Sequence, residues 1–176
     1  MVQYRRNLIP GGTFFFTVTL RDRRAKTLVE NINTLREALR RTQRQRPFVI
    51  DAMVVLPDHT HAVWTLPAGD ADYAGRWRLL KSFFTQSLAS KGIGLSRNTR
   101  GEYDLWQRRY WEHTIRNATD LARHLDYIHI NPVKHGLVEH VADWPYSTFH
   151  RFVRQGLYSP AWAGSKAVSD DGCYGE

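Results

Sequence analysis

Cysteine is almost missing from this chain. Among 176 residues there is one, Cys173, close to the C-terminal end. One thiol makes no internal disulfide and rules out a cysteine-rich zinc site. No apolar run approaches the ~20 residues that cross a bilayer, and no basic-then-apolar leader stands at the start. The expectation is a cytoplasmic protein, close to the nucleoid if it acts on DNA, with no membrane partner. Lysine is scarce as well: of 25 basic residues five are Lys and twenty are Arg. Acidic residues number 17, so the net charge is +8 and the pI about 9.9. Arginine forks onto phosphate through paired hydrogen bonds, which favours a nucleic-acid partner over generic solubilising charge.

Aromatic residues are plentiful, with six Trp, eight Tyr and eight Phe, and 42% of the chain is hydrophobic. That supplies one real core. The expected division is a single domain over residues 1–162 and a polar, frayed tail over 163–176.

The most informative stretch is VVLPDHTHAVWTLP, from Val54 to Pro67. Two apolar runs meet at Pro57-Asp58 and read as strands joined by a short turn, Phe48 to Leu56 and His61 to Leu66. His59 and His61 are two residues apart, so on an extended chain both imidazoles face the same way. That is a possible pair of metal ligands, and equally a possible structural pair. Upstream, TFFFTVTL (Thr13 to Leu20) reads as a strand. Leu28 to Arg44 and Tyr73 to Ser90 carry apolar residues at helical spacing. Lys91 to Tyr103, with three glycines, reads as a mobile loop. Leu105 to Arg116 reads as one or two short strands. A third helix spans Ala118 to Ile130, capped by Asn117 and stopped by Pro132 and Gly136. A last short helix is expected within Ser147 to Arg154. Helices gathered on an antiparallel sheet make an α+β sandwich, and ferredoxin-like topology fits the element order.

On the third helix Leu121, Leu125 and Ile128 form a core stripe, and Tyr127 and Asn131 share a neighbouring face, with His124 on the same side. If the stripe packs on the sheet, Tyr127 and Asn131 face the edge where His59 and His61 emerge. Two imidazoles and the Asn131 amide oxygen form a mixed site suited to Mg²⁺ or Mn²⁺, beside a phenol able to attack phosphorus. The bland alternatives stand next to this one. A tyrosine near a helix end is commonly a core-edge residue, an Asn before Pro a helix stop, and His124, His129, His135, His140 and His150 surface or capping groups.

The segments YRRNLIPGGTFFFTVTL, VVLPDHTHAVWTLP, LWQRRYWEHTIR, DYIHINPVKHGLV and DWPYSTFHRFV resemble the REP-associated tyrosine transposases, a likeness that spans Tyr4 to about Trp162, nearly the whole chain. These are relatives of the single-tyrosine HUH (His–hydrophobic–His) transposases of small bacterial insertion sequences. The resemblance implies that His59 and His61 bind the metal, that Tyr127 is the nucleophile, and that Asn131 stands where the insertion-sequence relatives have Gln. It implies cleavage and rejoining of single-stranded DNA at REP hairpins through a 5′-phosphotyrosine, by a protein that is more monomer-like than those dimeric relatives. Thr60 departs from the bulky apolar residue that the HUH name asks for. Tyr4, Arg5 and Arg6 are candidates for the foot of the hairpin. Arg108, Arg109, Tyr110 and Trp111 are candidates for its stem or flank, with His124 a further DNA-facing candidate. The competing function is a non-catalytic binder of structured single-stranded nucleic acid derived from such an enzyme.

Overall fold

The apolar run of Thr13–Thr19 becomes the inner strand β1, whose residues alternate between two covered faces. Phe14, Phe16 and Val18 join one hydrophobic cluster, and Phe15 joins another on the opposite side. A strand buried on both faces carries apolar residues at most positions, and the polar residues of TFFFTVTL, Thr13, Thr17 and Thr19, all fall on the face of Phe15. The structure, a computed structural model, describes residues 7–164.

After β1 come α1 (Thr27–Glu30), α2 (Ile32–Gln45), β2 (Val49–Val55), β3 (His59–Thr65), α3 (Tyr73–Ser90), β4 (Trp111–Thr114), α4 (Ala118–Lys134), a 3-10 turn (Val141–Asp143) and α5 (Phe149–Arg154). The four strands form one sheet in the order β2-β3-β1-β4, with every neighbouring pair antiparallel. With α2 and α3 as the crossovers, this is the βαββαβ ferredoxin-like arrangement expected from the sequence.

The helices divide between the two faces. α2 and α3 pack on each other and on the face carrying Phe14, Phe16, Ala62 and Trp64. Trp64 stacks on Trp77 of α3 with ring centroids 4.0 Å apart, and Phe48 lies 4.2 Å from Trp64. Each such aromatic, fully buried, contributes roughly 1.5–3 kcal/mol. The second face is covered by α4 and α5, through Tyr127, Ile128 and Phe152 against Phe15, Val54 and Val63. The candidate site residues His59, His61 and Tyr127 lie on this second face.

Several expected boundaries shift. The helix expected over Leu28 to Arg44 is broken at Asn31, whose side-chain amide donates to the Thr27 carbonyl at 3.0 Å. β3 begins at His59, so both histidines of the pair lie inside the strand. Residues 91–103 fold back on themselves through an Arg97–Tyr103 bridge, with Arg97 4.0 Å or less (3.9 Å) from the Tyr103 ring centroid. Pro132 does not stop α4. The helix runs through it to Lys134, the His135 N–H donating to the Asn131 carbonyl at 3.0 Å, and ends at Gly136, whose φ of 65° suits glycine. Proline withholds its own N–H and crowds the carbonyl four residues back, and the packed second face holds the helix across that break.

Candidate active site

The register of the sheet builds the site. Thr17 of β1 pairs with His61 of β3, and Thr19 with His59. All four side chains therefore share the face that α4 covers. The rings of His59 and His61 lie 4.9 Å apart, nearly perpendicular at 83°. Both are held by their Nδ1 atoms. His59 Nδ1 is 2.8 Å from Asp58 Oδ1, and His61 Nδ1 is 2.8 Å from Thr17 Oγ1. Asp58 is in turn paired with Arg23, Nε to Oδ2, at 2.7 Å. Burial alone would raise the Asp58 carboxyl, but His59 and Arg23 bring it below its ordinary range.

This anchoring fixes which nitrogen each ring offers to an ion. The Asp58 carboxylate can only accept, so it selects for His59 the tautomer whose Nε2 carries the lone pair, the usual outer support of a metal-binding histidine, while the Thr17 hydroxyl holds the His61 ring by the same nitrogen. His59 Nε2 is buried and has no hydrogen-bond partner among the described residues. Such an orphaned acceptor costs free energy unless something occupies it. The donor set therefore fits a divalent ion.

α4 supplies the other half. Tyr127 stands with its ring 5.2 Å from that of His61 and 6.0 Å from Phe15. Asn131 follows one turn later and is fully buried. The last turn of the helix comes back over the same place: Lys134 Nζ is 4.8 Å from the Tyr127 ring centroid, and the His135 ring is 5.0 Å from that of His59. The site is closed, with His59 and Tyr127 1% exposed and His61 and Asn131 at 0%. Thr60 points to the opposite face, where its hydroxyl donates to the Val54 carbonyl at 2.7 Å. It takes no part in the ligand face.

The other sequence candidates are spread more widely. Arg108, Arg109 and Trp111 are exposed at the β4 edge. Tyr110 is half-buried and packs against the first core, 6.1 Å from the Phe16 ring and 6.2 Å from Trp77. Tyr4, Arg5 and Arg6 lie outside the described residues. His124 is not a surface group, and neither is His129: both are buried, because their faces of α4 turn toward the sheet and toward α5.

His124 belongs instead to a cluster that the sequence did not reveal. His113 of β4 and Asp120 and His124 of α4 bring ligand atoms within 4.8 Å of one another, a group able to hold a metal ion. The Asp120 carboxylate already accepts from His113 Nε2 at 2.9 Å, the Arg116 N–H at 3.0 Å and the Arg116 Nε at 3.1 Å. Burial opposes its ionisation, but these donors outweigh it and hold the carboxyl far below its ordinary range. With the His113 and His124 rings stacked at 4.7 Å, the cluster braces β4 against the first turns of α4. Its parts are seven and eleven residues apart in sequence, on elements whose pairing no local pattern announces. The roles of Asp58 and Thr17 are equally hidden from the sequence. Asp58 adjoins the histidine pair, and in sequence it carries only a turn signal. Thr17 becomes legible only with the register of β1 on β3.

No family model matches the chain. Among curated proteins it is 52% identical to a REP-associated tyrosine transposase of Escherichia coli K12, over 164 residues that cover 93% of this chain and 92% of that one. It is 46% identical to a putative REP-associated tyrosine transposase of Haemophilus influenzae, covering 94% of this chain and 95% of the other. Among solved structures it resembles a REP-associated tyrosine transposase bound to a REP hairpin. The TM-score is 0.88 at 50% identity, and the match covers 100% of this chain and 98% of that one.

A ferredoxin-like sheet with a braced histidine pair under a tyrosine-bearing helix is thus the framework of a transposase, an enzyme of DNA cleavage and strand transfer. Within that class, the chain belongs to the REP-associated tyrosine transposase family.

Proposed function

We propose that this protein cleaves and rejoins single-stranded DNA at REP hairpins, with Tyr127 as the nucleophile and His59, His61 and Asn131 as ligands of a Mg²⁺ or Mn²⁺ ion. One observation carries the reading. The Tyr127 ring lies 5.2 Å from His61, which lies 4.9 Å from a His59 whose buried Nε2 has no hydrogen-bond partner among the described residues.

In the reaction the Tyr127 oxygen forms a bond to phosphorus and the P–O3′ bond breaks. The phenol proton passes to water, and the departing 3′ oxygen takes a proton from water. The products are a 5′-phosphotyrosine and a free 3′-hydroxyl, and the ester stores the bond energy for rejoining. A free phenol, with a pKa near ~10, is a weak nucleophile at neutral pH. The chemistry supplied by a divalent ion is withdrawal of charge from the phosphate and its alignment for in-line attack. Asp58 and Thr17 hold the two imidazoles in register, and the second core holds the phenol against them. The relative solved with a REP hairpin supports that structure as the substrate. Exposed Arg108, Arg109 and Trp111 combine phosphate-binding charge with a stacking surface for stem or flank. Tyr4, Arg5 and Arg6 are proposed for the foot.

The test is a covalent adduct. A REP hairpin oligonucleotide with single-stranded flanks, incubated with the protein and Mn²⁺, yields a protein–DNA band that survives denaturing electrophoresis. Tyr127→Phe abolishes it, and EDTA prevents it. An adduct of equal yield from Tyr127→Phe removes the nucleophile assignment. Hairpin binding with no adduct from the native protein returns the reading to a binding module.

A further inference from the structure

The last turn of α4 has no task in the chemistry described so far, although the chain goes to some lengths to build it. A helix that stopped at Pro132 would leave Lys134 off the site. Instead it continues, with the His135 N–H bonded to the Asn131 carbonyl, and turns away only at Gly136. Tyr127, Asn131 and Lys134 are then spaced by four and three residues, which places them within about 60° of one another around the helix. The result is an ammonium 4.8 Å from the centroid of the Tyr127 ring.

The exposures differ sharply. Tyr127, Asn131, His59 and His61 are closed to solvent, whereas Lys134 is exposed. Arg23, the cation on the His59 side, is committed to Asp58 at 2.7 Å. Lys134 is thus a charged group of the site that an incoming phosphodiester meets before it reaches the phenol. Favourable interaction with the helix dipole explains a basic residue in the last turn. It does not explain one lying over the ring of the nucleophile.

We propose that Lys134 is a catalytic residue: its ammonium leaves the ring face and binds a non-bridging oxygen of the phosphodiester that Tyr127 attacks. The proposal rests on the Tyr127 reading above. As the Oη–P bond forms and the P–O3′ bond breaks, negative charge concentrates on the oxygens of five-coordinate phosphorus. A cation already in place stabilises that charge without reorganisation. A compact ammonium on a flexible stem suits an oxygen that moves during the reaction.

The experiment uses the full chain and a REP hairpin oligonucleotide. Single-turnover adduct formation is followed with Mn²⁺ at saturating protein, and hairpin affinity is measured separately in EDTA. Lys134→Met keeps the stem and drops the charge; Lys134→Ala drops both. Both variants are expected to form adduct about 10²-fold more slowly, with hairpin affinity within a few-fold of wild type. Lys134→Arg should recover part of the rate. A wild-type rate in Lys134→Met overturns the proposal, and so does a loss of rate matched by an equal loss of affinity, the mark of a simple backbone grip. Tyr127→Phe runs in parallel. If it still forms adduct, or if the native protein forms none, the nucleophile reading fails and Lys134 falls with it. If Tyr127→Phe is dead while Lys134→Met is unimpaired, only the role of Lys134 is lost.

Discussion

His129 makes the stability of the fold depend on pH in a calculable way. The ring is fully buried between α4 and α5, 4.8 Å from Phe152, 5.2 Å from Tyr158 and 5.8 Å from Phe149. Its Nε2 meets the Thr148 hydroxyl at 3.1 Å. Burial first, and Arg151 second, disfavour the charged form and push the pKa from 6.5 down to about 3. The folded state therefore resists a proton that the unfolded chain accepts from about pH 6.5 downward. The stabilising contribution is fully present above 6.5 and is lost as pH falls toward 3. Each pH unit between the two values is worth about 1.4 kcal/mol. The loss from pH 7 to pH 5 is then about 2 kcal/mol, with an upper bound near ~5 kcal/mol at the acid end. Burial lowers His124 too, so it adds in the same sense. Urea unfolding at pH 7, 6 and 5 reads the slope. His129→Gln keeps a hydrogen-bonding side chain that never charges, and its stability should fall less steeply by about 1 kcal/mol per unit below pH 6. Equal slopes for the variant and the native protein would refute the argument, because the proton would then be going elsewhere.

Two further perturbations test the site and its helix. Asp58→Asn removes the carboxylate that orients His59, and Mn²⁺ affinity followed by titration calorimetry should fall about 10- to 100-fold with the fold intact. An unchanged affinity would mean that His59 is oriented by packing alone. Pro132→Ala restores a helix-interior donor and removes the clash of the proline ring with the preceding turn. A gain of roughly 1–3 kcal/mol is expected, read as a higher thermal midpoint; a lower midpoint would show that the proline fits its place better than an unbroken helix does.

How much was legible in the sequence depended on whether the signal was periodic. The stripe Trp77, Leu80, Phe84 and Leu88 marked α3 correctly, since burial at helical spacing is a local pattern, and all four are buried. The His59–x–His61 pair showed its common face for the same reason. The supports of that pair were hidden. Thr17 lies 44 residues from His61, and only the antiparallel register brings the two together. Proline misled in the usual direction: its local cost predicts a helix stop at Asn131, and tertiary packing overrode that cost. Nothing local marks His124 and His129 as buried rather than surface or capping groups, because a histidine carries no sign of burial. Their neighbours across α4, Phe15 and Phe152, come from elements remote in sequence.

The override at Pro132 has a functional consequence that the energetics make plain. A proline inside a helix costs on the order of 3 kcal/mol relative to alanine, and natural proteins concentrate such broken rules where a site needs them. Here the residue before the proline is Asn131, the proposed amide ligand, and the turn beyond it carries Lys134 and His135 over the phenol and the imidazole. Ending α4 at the proline would keep Tyr127 and lose that cover. Replacing the proline would keep the cover but let the Ile128 carbonyl find its usual helical donor, tightening the turn that carries Asn131, the ligand proposed above. A proline kept at that cost therefore fits a helix end shaped for the proposed site rather than for the stability of the helix.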